Sequence, residues 1–237
     1  MHKTLIVAHR GASSLVKENT IPAFEKAIEI GADMIEFDVR KTKDGIMIVY
    51  HDPLIEGRPI HQLTYQEANR LVSSAGFVIP TVEEVLKHTL GKIKLDIELK
   101  EMGYEKELVE LVLRYFNKDA FLMTSFNDQS LVVIKQLYPD IKVGLLLGGL
   151  PQLMLPFCHS ELYPERRYRK IGADFLIAHY QLLNYGFLER AVHNKIRVYV
   201  WTVDDPTLLK KLLNDNRICA VITNKPDLAI SLVKRQF

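Results

Sequence analysis

The chain lacks the features that define several protein classes. Its 237 residues hold two cysteines, Cys158 and Cys219, and a single tryptophan. Two cysteines without metal-type spacing exclude a disulfide framework and read as free, reduced thiols. No apolar run approaches the roughly 18 residues of a membrane-spanning helix. The early run Leu5-Ile6-Val7-Ala8 is too short for a signal-peptide core and lacks a cleavage pattern. These absences imply a cytoplasmic chain with no stable membrane insertion. A net charge of +2, without a dense Lys/Arg tract and interleaved aromatics, argues against nucleic acid as a partner. The one basic cluster, 165–170, reads as a solvated helix face or loop. Low-complexity tracts, linkers and composition shifts are also missing, so residues 1–237 read as one domain. Composition leaves the oligomeric state open.

What the chain has is a regular alternation. Short β-branched runs at 4–9, 34–39, 94–99, 121–125, 142–147, 173–178, 197–201 and 220–223 are each followed by an amphipathic stretch. Helix starts carry their usual chemistry: Thr20 precedes Ile21-Pro22, and Pro80-Thr81 precedes Val82. Eight β-then-α units in this length predict a (β/α)8 barrel, the TIM-barrel architecture. The irregularity is the segment after a further short strand at 46–50. Residues 53–79, with a helical piece at 65–72, read as a small insertion above the barrel mouth between the second strand and its helix. A second long connection spans 148–169 on the same side.

Charged residues fall at the ends of these strands. They read His9-Arg10-Gly11, Glu36-Phe37-Asp38, His51-Asp52 and Glu98-Leu99-Lys100. Strand alternation puts Glu36 and Asp38 on one face and Ile35, Phe37 and Val39 on the other. Asp96, Glu98 and Lys100 likewise oppose Leu95, Ile97 and Leu99. Carboxylates turned into a barrel need a cation, a partner or water. An internal salt-bridge cluster would satisfy them but would not explain the histidines at strand ends. Glu36, Asp38 and Glu98 suit one hard divalent cation, Mg²⁺ or Ca²⁺. Arg10 and Lys100 suit a phosphate group. His9 and His51 suit paired proton transfer, one as base and one as acid. Together these are the parts of a metal-dependent phosphodiesterase. His2, His61, His88, His159 and His193 lack such neighbours and read as structural or exposed, while His179 stays open.

The motifs His9-Arg10-Gly11-Ala12-Ser13, Glu18-Asn19-Thr20, Glu36-Phe37-Asp38-Val39, His51-Asp52, Glu98-Leu99-Lys100, Trp201-Thr202 and Ile222-Thr223-Asn224-Lys225-Pro226 resemble the glycerophosphodiester phosphodiesterase family. The resemblance runs in order over nearly the whole chain. It implies a barrel that hydrolyses small-molecule glycerophosphodiesters to sn-glycerol 3-phosphate and an alcohol through a cyclic phosphate. It also implies that Phe126 and Trp201 line the substrate pocket, and that the compact insertion is of the bacterial cytoplasmic type. The chain departs from the family pattern twice. Lys17 stands for the usual proline before Glu-Asn-Thr. Asn224 stands for the usual aspartate of Thr-Asp-x-Pro, an exchange expected to touch a hydrogen bond at the barrel rim and not the chemistry.

Three other functions share some of these parts. A phosphatidylinositol-specific phospholipase C shares the histidine pair but lacks the carboxylate set. A lysophospholipase D would use the same site with a more apolar pocket, to which Leu145-Leu146-Leu147 and 150–157 would contribute. An inactive binding protein would have lost a ligand or a histidine.

Overall fold

A strand packed between helices and a barrel interior must alternate in character, and the computed structural model, which describes residues 3–148 and 159–234, follows that rule. Strands β1 (Leu5–His9) and β2 (Met34–Lys41) lead into the hairpin strand β3 (Met47–Val49) and the small ribbon β4 (Leu54–Ile55) and β5 (Arg58–Pro59). Then follow β6 (Lys94–Leu99), β7 (Phe121–Ser125), β8 (Val143–Leu147), β9 (Phe175–His179), β10 (Arg197–Trp201) and β11 (Ile218–Thr223). Strands β1, β2 and β6 to β11 pair in parallel, and β1 bonds both β2 and β11. The result is the closed (β/α)8 barrel that the sequence predicts, with strand limits within two residues of those read from the pattern.

Odd-numbered side chains of β1 and even-numbered ones of β2 and β6 point inward. Val7, Met34, Leu122, Leu146, Ile177, Tyr199 and Ile222 fill the interior. Ile6, Ile35, Phe37, Ile97 and Leu145 pack outward beneath the helices. Each such buried side chain contributes roughly 1.5–3 kcal/mol. The apolar interior filling gives way to Glu36, Asp38, Asp96 and Glu98, all buried.

The helices begin with α1 (Ile21–Ile30), whose Thr20 cap accepts from the Ala23 N–H. Next come α2 (Tyr65–Val72) and α3 (Val82–Thr89), each opened by a reciprocal Thr/Glu capping box: Thr64 with Glu67, and Thr81 with Glu84. Residues 53–79 carry their own apolar cluster, in which Ile55, Ile60, Leu63 and Val72 pack on Ile48 of β3.

Strand β3 is not a barrel strand. It runs antiparallel to β2, pairing Val49 with Val39. The hairpin therefore rises above the mouth and returns, and the Tyr50 N–H donates to the Asp38 carbonyl at 3.0 Å. That return brings the chain down to the acidic layer just before His51.

The loop after β1 needs left-handed backbone at Arg10 (φ 55°) and Gly11 (φ 83°). A Cβ on Gly11 would lie 2.7 Å from the Ala23 carbonyl carbon, a backbone atom that cannot step aside. Gly11→Ala should therefore cost about 1–3 kcal/mol from strain alone. In a domain this size, the melting temperature should fall by roughly 2–12 °C. A melting temperature unchanged by the substitution would refute this account of the loop.

Candidate active site

The carboxylates meet because β2 and β6 are neighbours in register, with Glu36 opposite Asp96 and Asp38 opposite Glu98. Oxygen atoms of Glu36, Asp38 and Glu98 lie within 4.8 Å of one another. Glu36 Oε2 accepts from the Arg10 backbone N–H at 2.9 Å, which the left-handed turn aims at it. Glu36 Oε1 is buried and has no hydrogen-bond partner. Asp38 Oδ2 accepts from the Asn19 side-chain amide at 2.7 Å and lies 3.2 Å from Arg10 Nε. Lys100 Nζ lies 2.9 Å from Asp38 Oδ1 and 2.7 Å from Glu98 Oε1. Arg10 also donates to both oxygens of Glu18.

The electrostatics separate the three acids. Burial works against ionised Asp38, but Lys100, Arg10 and the Asn19 amide override it and hold the carboxyl well below the usual range. Burial, then the charges of Asp38 and Glu98, pushes Glu36 well above that range. Burial likewise raises Glu98 to about 7 against the pull of Lys100. The cluster sets three carboxyls against two cations, and burial holds Glu36 and Glu98 toward the protonated form. An all-oxygen donor set with an orphaned oxygen at Glu36 fits a further hard cation.

The two histidines line one cavity of about 190 Å³ together with Glu36, Glu98 and Lys100. His9 ends β1, with Nε2 3.8 Å from Glu36 Oε2 and Nδ1 2.7 Å from Asn224 Oδ1. Burial, reinforced by the neighbouring Arg10 charge, lowers its pKa to about 4. His51 follows β3, its Nδ1 2.7 Å from Asp52 Oδ1. Burial and the Lys100 charge lower His51, while Asp38 and Asp52 pull the other way. Phe126 and Trp201 meet edge-to-face at 5.6 Å on the opposite wall. The Trp201 indole N–H donates to the carbonyls of Leu147 and Ile177, which fixes the ring.

Four features escape a reading of local motifs. Buried Arg40 donates to the His51 carbonyl at 2.9 Å and pairs with Glu101, holding the loop that carries the histidine. Asn19 and Glu18 serve as partners of Asp38 and Arg10. Asn224 does not merely support the rim, as expected, but contacts His9 itself. Alternation inward from Ala220 and Ile222 of β11 was the available signal for this. Leu145 and Leu147 do not form an apolar rim, since both pack outward beneath the helices and only Leu146 faces the cavity. Residues 150–157 lie outside the described residues.

Asp96 sits deeper in the same cavity, accepting from Thr124 Oγ1 at 2.9 Å. Burial raises its pKa to about 7, opposed by the Thr124 bond and assisted by Glu98 and Asp38. In the unfolded chain it ionises near 4. Between those values the unfolded chain has released a proton that the folded chain retains, so stability falls as pH rises from about 4 to about 7. Asp96→Asn keeps an acceptor for Thr124 and removes the penalty. Without added cation, it should melt several degrees higher than the parent at pH 8 and close to it at pH 4. An equal effect at both values would refute the assignment.

The chain is similar to known proteins over nearly its whole length. The sequence profile of the glycerophosphoryl diester phosphodiesterase family matches residues 9–228. A glycerophosphodiester phosphodiesterase of Caldanaerobacter subterraneus is 31% identical, with 98% of this chain and 99% of that protein covered. A crystal structure of a glycerophosphodiester phosphodiesterase from Parabacteroides distasonis superposes with a TM-score of 0.83 at 29% identity, covering 100% and 99% of the two chains. An Oleispira antarctica phosphodiesterase in complex with the product sn-glycerol-3-phosphate gives 0.79 at 25% identity, covering 98% and 97%.

Proposed function

The chain belongs to the glycerophosphoryl diester phosphodiesterase family, and we propose that it hydrolyses glycerophosphodiesters to sn-glycerol 3-phosphate and an alcohol by His9/His51 proton transfer beside one divalent cation. The observation that carries this reading is the placement of both histidines, Glu36, Glu98 and Lys100 in one cavity. Glu36, Asp38 and Glu98 would hold the cation, as Mg²⁺ or Ca²⁺. When bound, it supplies Lewis-acid stabilisation of the charge that develops on the phosphate.

The residues of the chain divide the remaining work. His9, uncharged above about pH 4, takes the proton of the substrate's 2-hydroxyl at Nε2. The freed oxygen attacks phosphorus and closes a five-membered ring, an intramolecular step whose proximity is worth several kcal/mol. Arg10 and Lys100 stabilise the phosphorane charge. The bond from phosphorus to the head-group oxygen breaks, and His51 protonates that oxygen as it leaves. Water then opens the cyclic phosphate with the two histidines in exchanged roles, leaving glycerol 3-phosphate. Phe126 and Trp201 form the apolar wall of the pocket.

A 2-deoxy analogue of glycerophosphocholine tests the ring-closing step. It should be cleaved at least about 10³-fold more slowly, given the effective molarities of such intramolecular attacks. Turnover of the analogue at the normal rate would point instead to direct attack by water and would leave the histidine and cation assignments in place.

A further inference from the structure

The contacts behind His9 decide which of its nitrogens can act. Asp204, in the loop between β10 and the helix at Pro206–Leu213, receives three hydrogen bonds from residues at the end of β11. The Lys225 N–H donates to Thr223 Oγ1 at 3.0 Å, so the Thr223 hydroxyl proton is free to go to Asp204 Oδ1, also at 3.0 Å. The Asn224 backbone N–H donates to the same oxygen at 2.9 Å. Asp204 Oδ2 is left for the Asn224 side chain, 2.6 Å away.

A carboxylate oxygen can only accept, so the group that Asn224 turns toward Asp204 must be its amide NH₂. Its carbonyl oxygen is therefore the atom facing His9 Nδ1 at 2.7 Å. Ser13 Oγ lies 2.9 Å from that same oxygen and 2.8 Å from the His9 carbonyl, so its single proton goes to one or the other. Two acceptors do not approach to 2.7 Å without a proton between them. Nδ1 must carry that proton, and Nε2, on the cavity side near Glu36, keeps the lone pair.

We propose that Asn224, oriented by Asp204, is a positioning residue that locks His9 in its Nδ1–H tautomer and so reserves Nε2 for accepting the substrate proton. The pair works at a distance: Asn224 touches no reacting atom and Asp204 touches only residues 223–225. His51 has a different neighbour, the Asp52 carboxylate, which favours a protonated ring. The two histidines are thus prepared for opposite duties by the groups behind them, an amide for the base and a carboxylate for the acid. The inference rests on the proposed reading of His9 as the base.

Long-range ¹H–¹⁵N spectra of the ¹⁵N-histidine-labelled chain in Mg²⁺ buffer at pH 7.5 read the tautomer directly, with His9→Gln identifying the signal. The His9 ring should show a protonated Nδ1 and a bare Nε2. Asn224→Leu, close in shape but without an acceptor, should shift the ring toward the Nε2–H form. It should also lower kcat about 10²–10⁴-fold, the scale on which a wrong tautomer disables a catalytic histidine, with KM changed only a few-fold. An Nε2–H signal in the parent chain would overturn the proposal, and so would an Asn224→Leu enzyme of normal kcat. If that variant fails to fold, the parent spectrum alone decides. A chain with the expected spectrum that releases no glycerol 3-phosphate would instead overturn the reading of the site and leave the tautomer standing.

Discussion

His9→Ala should lower kcat by about 10²–10⁴-fold, the usual contribution of a positioned general base, while the fold survives. His9 is a partly exposed end of β1, and its ring contacts Asn224 and Glu36 rather than the apolar core. His51→Ala should lose a similar factor on glycerophosphocholine, because an alkoxide departs poorly without a proton. The two variants part company on a substrate with a nitrophenol leaving group. That group needs no proton, so much of the His51→Ala loss should return and none of the His9→Ala loss. Equal rescue of both would contradict the division into base and acid. For the parent chain, kcat/KM should rise with pH as His9 releases its proton, well below pH 6.5, and fall again as His51 loses its own.

Chelation should abolish turnover, and Mg²⁺ or Ca²⁺ should restore it. The cleaner test is Glu36→Gln, because that residue has an orphaned oxygen and its other oxygen accepts a backbone N–H that a glutamine carbonyl can also accept. Two effects of opposite sign are expected. Cation affinity by calorimetry should fall at least about tenfold, with one of three charged ligands lost. The cation-free chain should melt higher than the parent, because an acid whose ionisation burial and two neighbouring charges oppose has been removed. A purely structural acidic cluster would show no cation binding in either protein. Asp38→Asn is less informative. It leaves Arg10 and Lys100 facing each other without the carboxylate between them, and breaking a buried pair in this way costs about 3–5 kcal/mol.

Residues whose placement follows from a local period were legible in the sequence. Glu36, Asp38 and Glu98 sit on strands with alternating faces, and the parallel register of β2 with β6 then brings them together. Trp201 and Phe126 line the cavity that also holds both histidines. Arg10 and Lys100 were legible as cations near the site but not in their pairing. Each lies against a carboxylate of the cluster, because a buried charge takes the nearest counter-charge. The supports of the histidines were the illegible part. Asn224 is 215 positions from His9, and Arg40 reaches the His51 carbonyl across a hairpin. No spacing rule reports contacts made only when a barrel closes. Asn224 did stand out in the sequence as a departure from the family pattern, but that signal gave a position without a partner.

The bond that is cut tests the central claim most directly. Glycerophosphocholine incubated with the full chain and Mg²⁺ or Ca²⁺ can be followed by ³¹P spectroscopy, with both possible phosphorylated products as standards. Attack by the 2-hydroxyl with His51 protonating the departing alcohol requires sn-glycerol 3-phosphate and free choline, with a cyclic glycerol phosphate passing through the early spectra. Glycerol and phosphocholine as products, or unchanged substrate with the cation present, would contradict it.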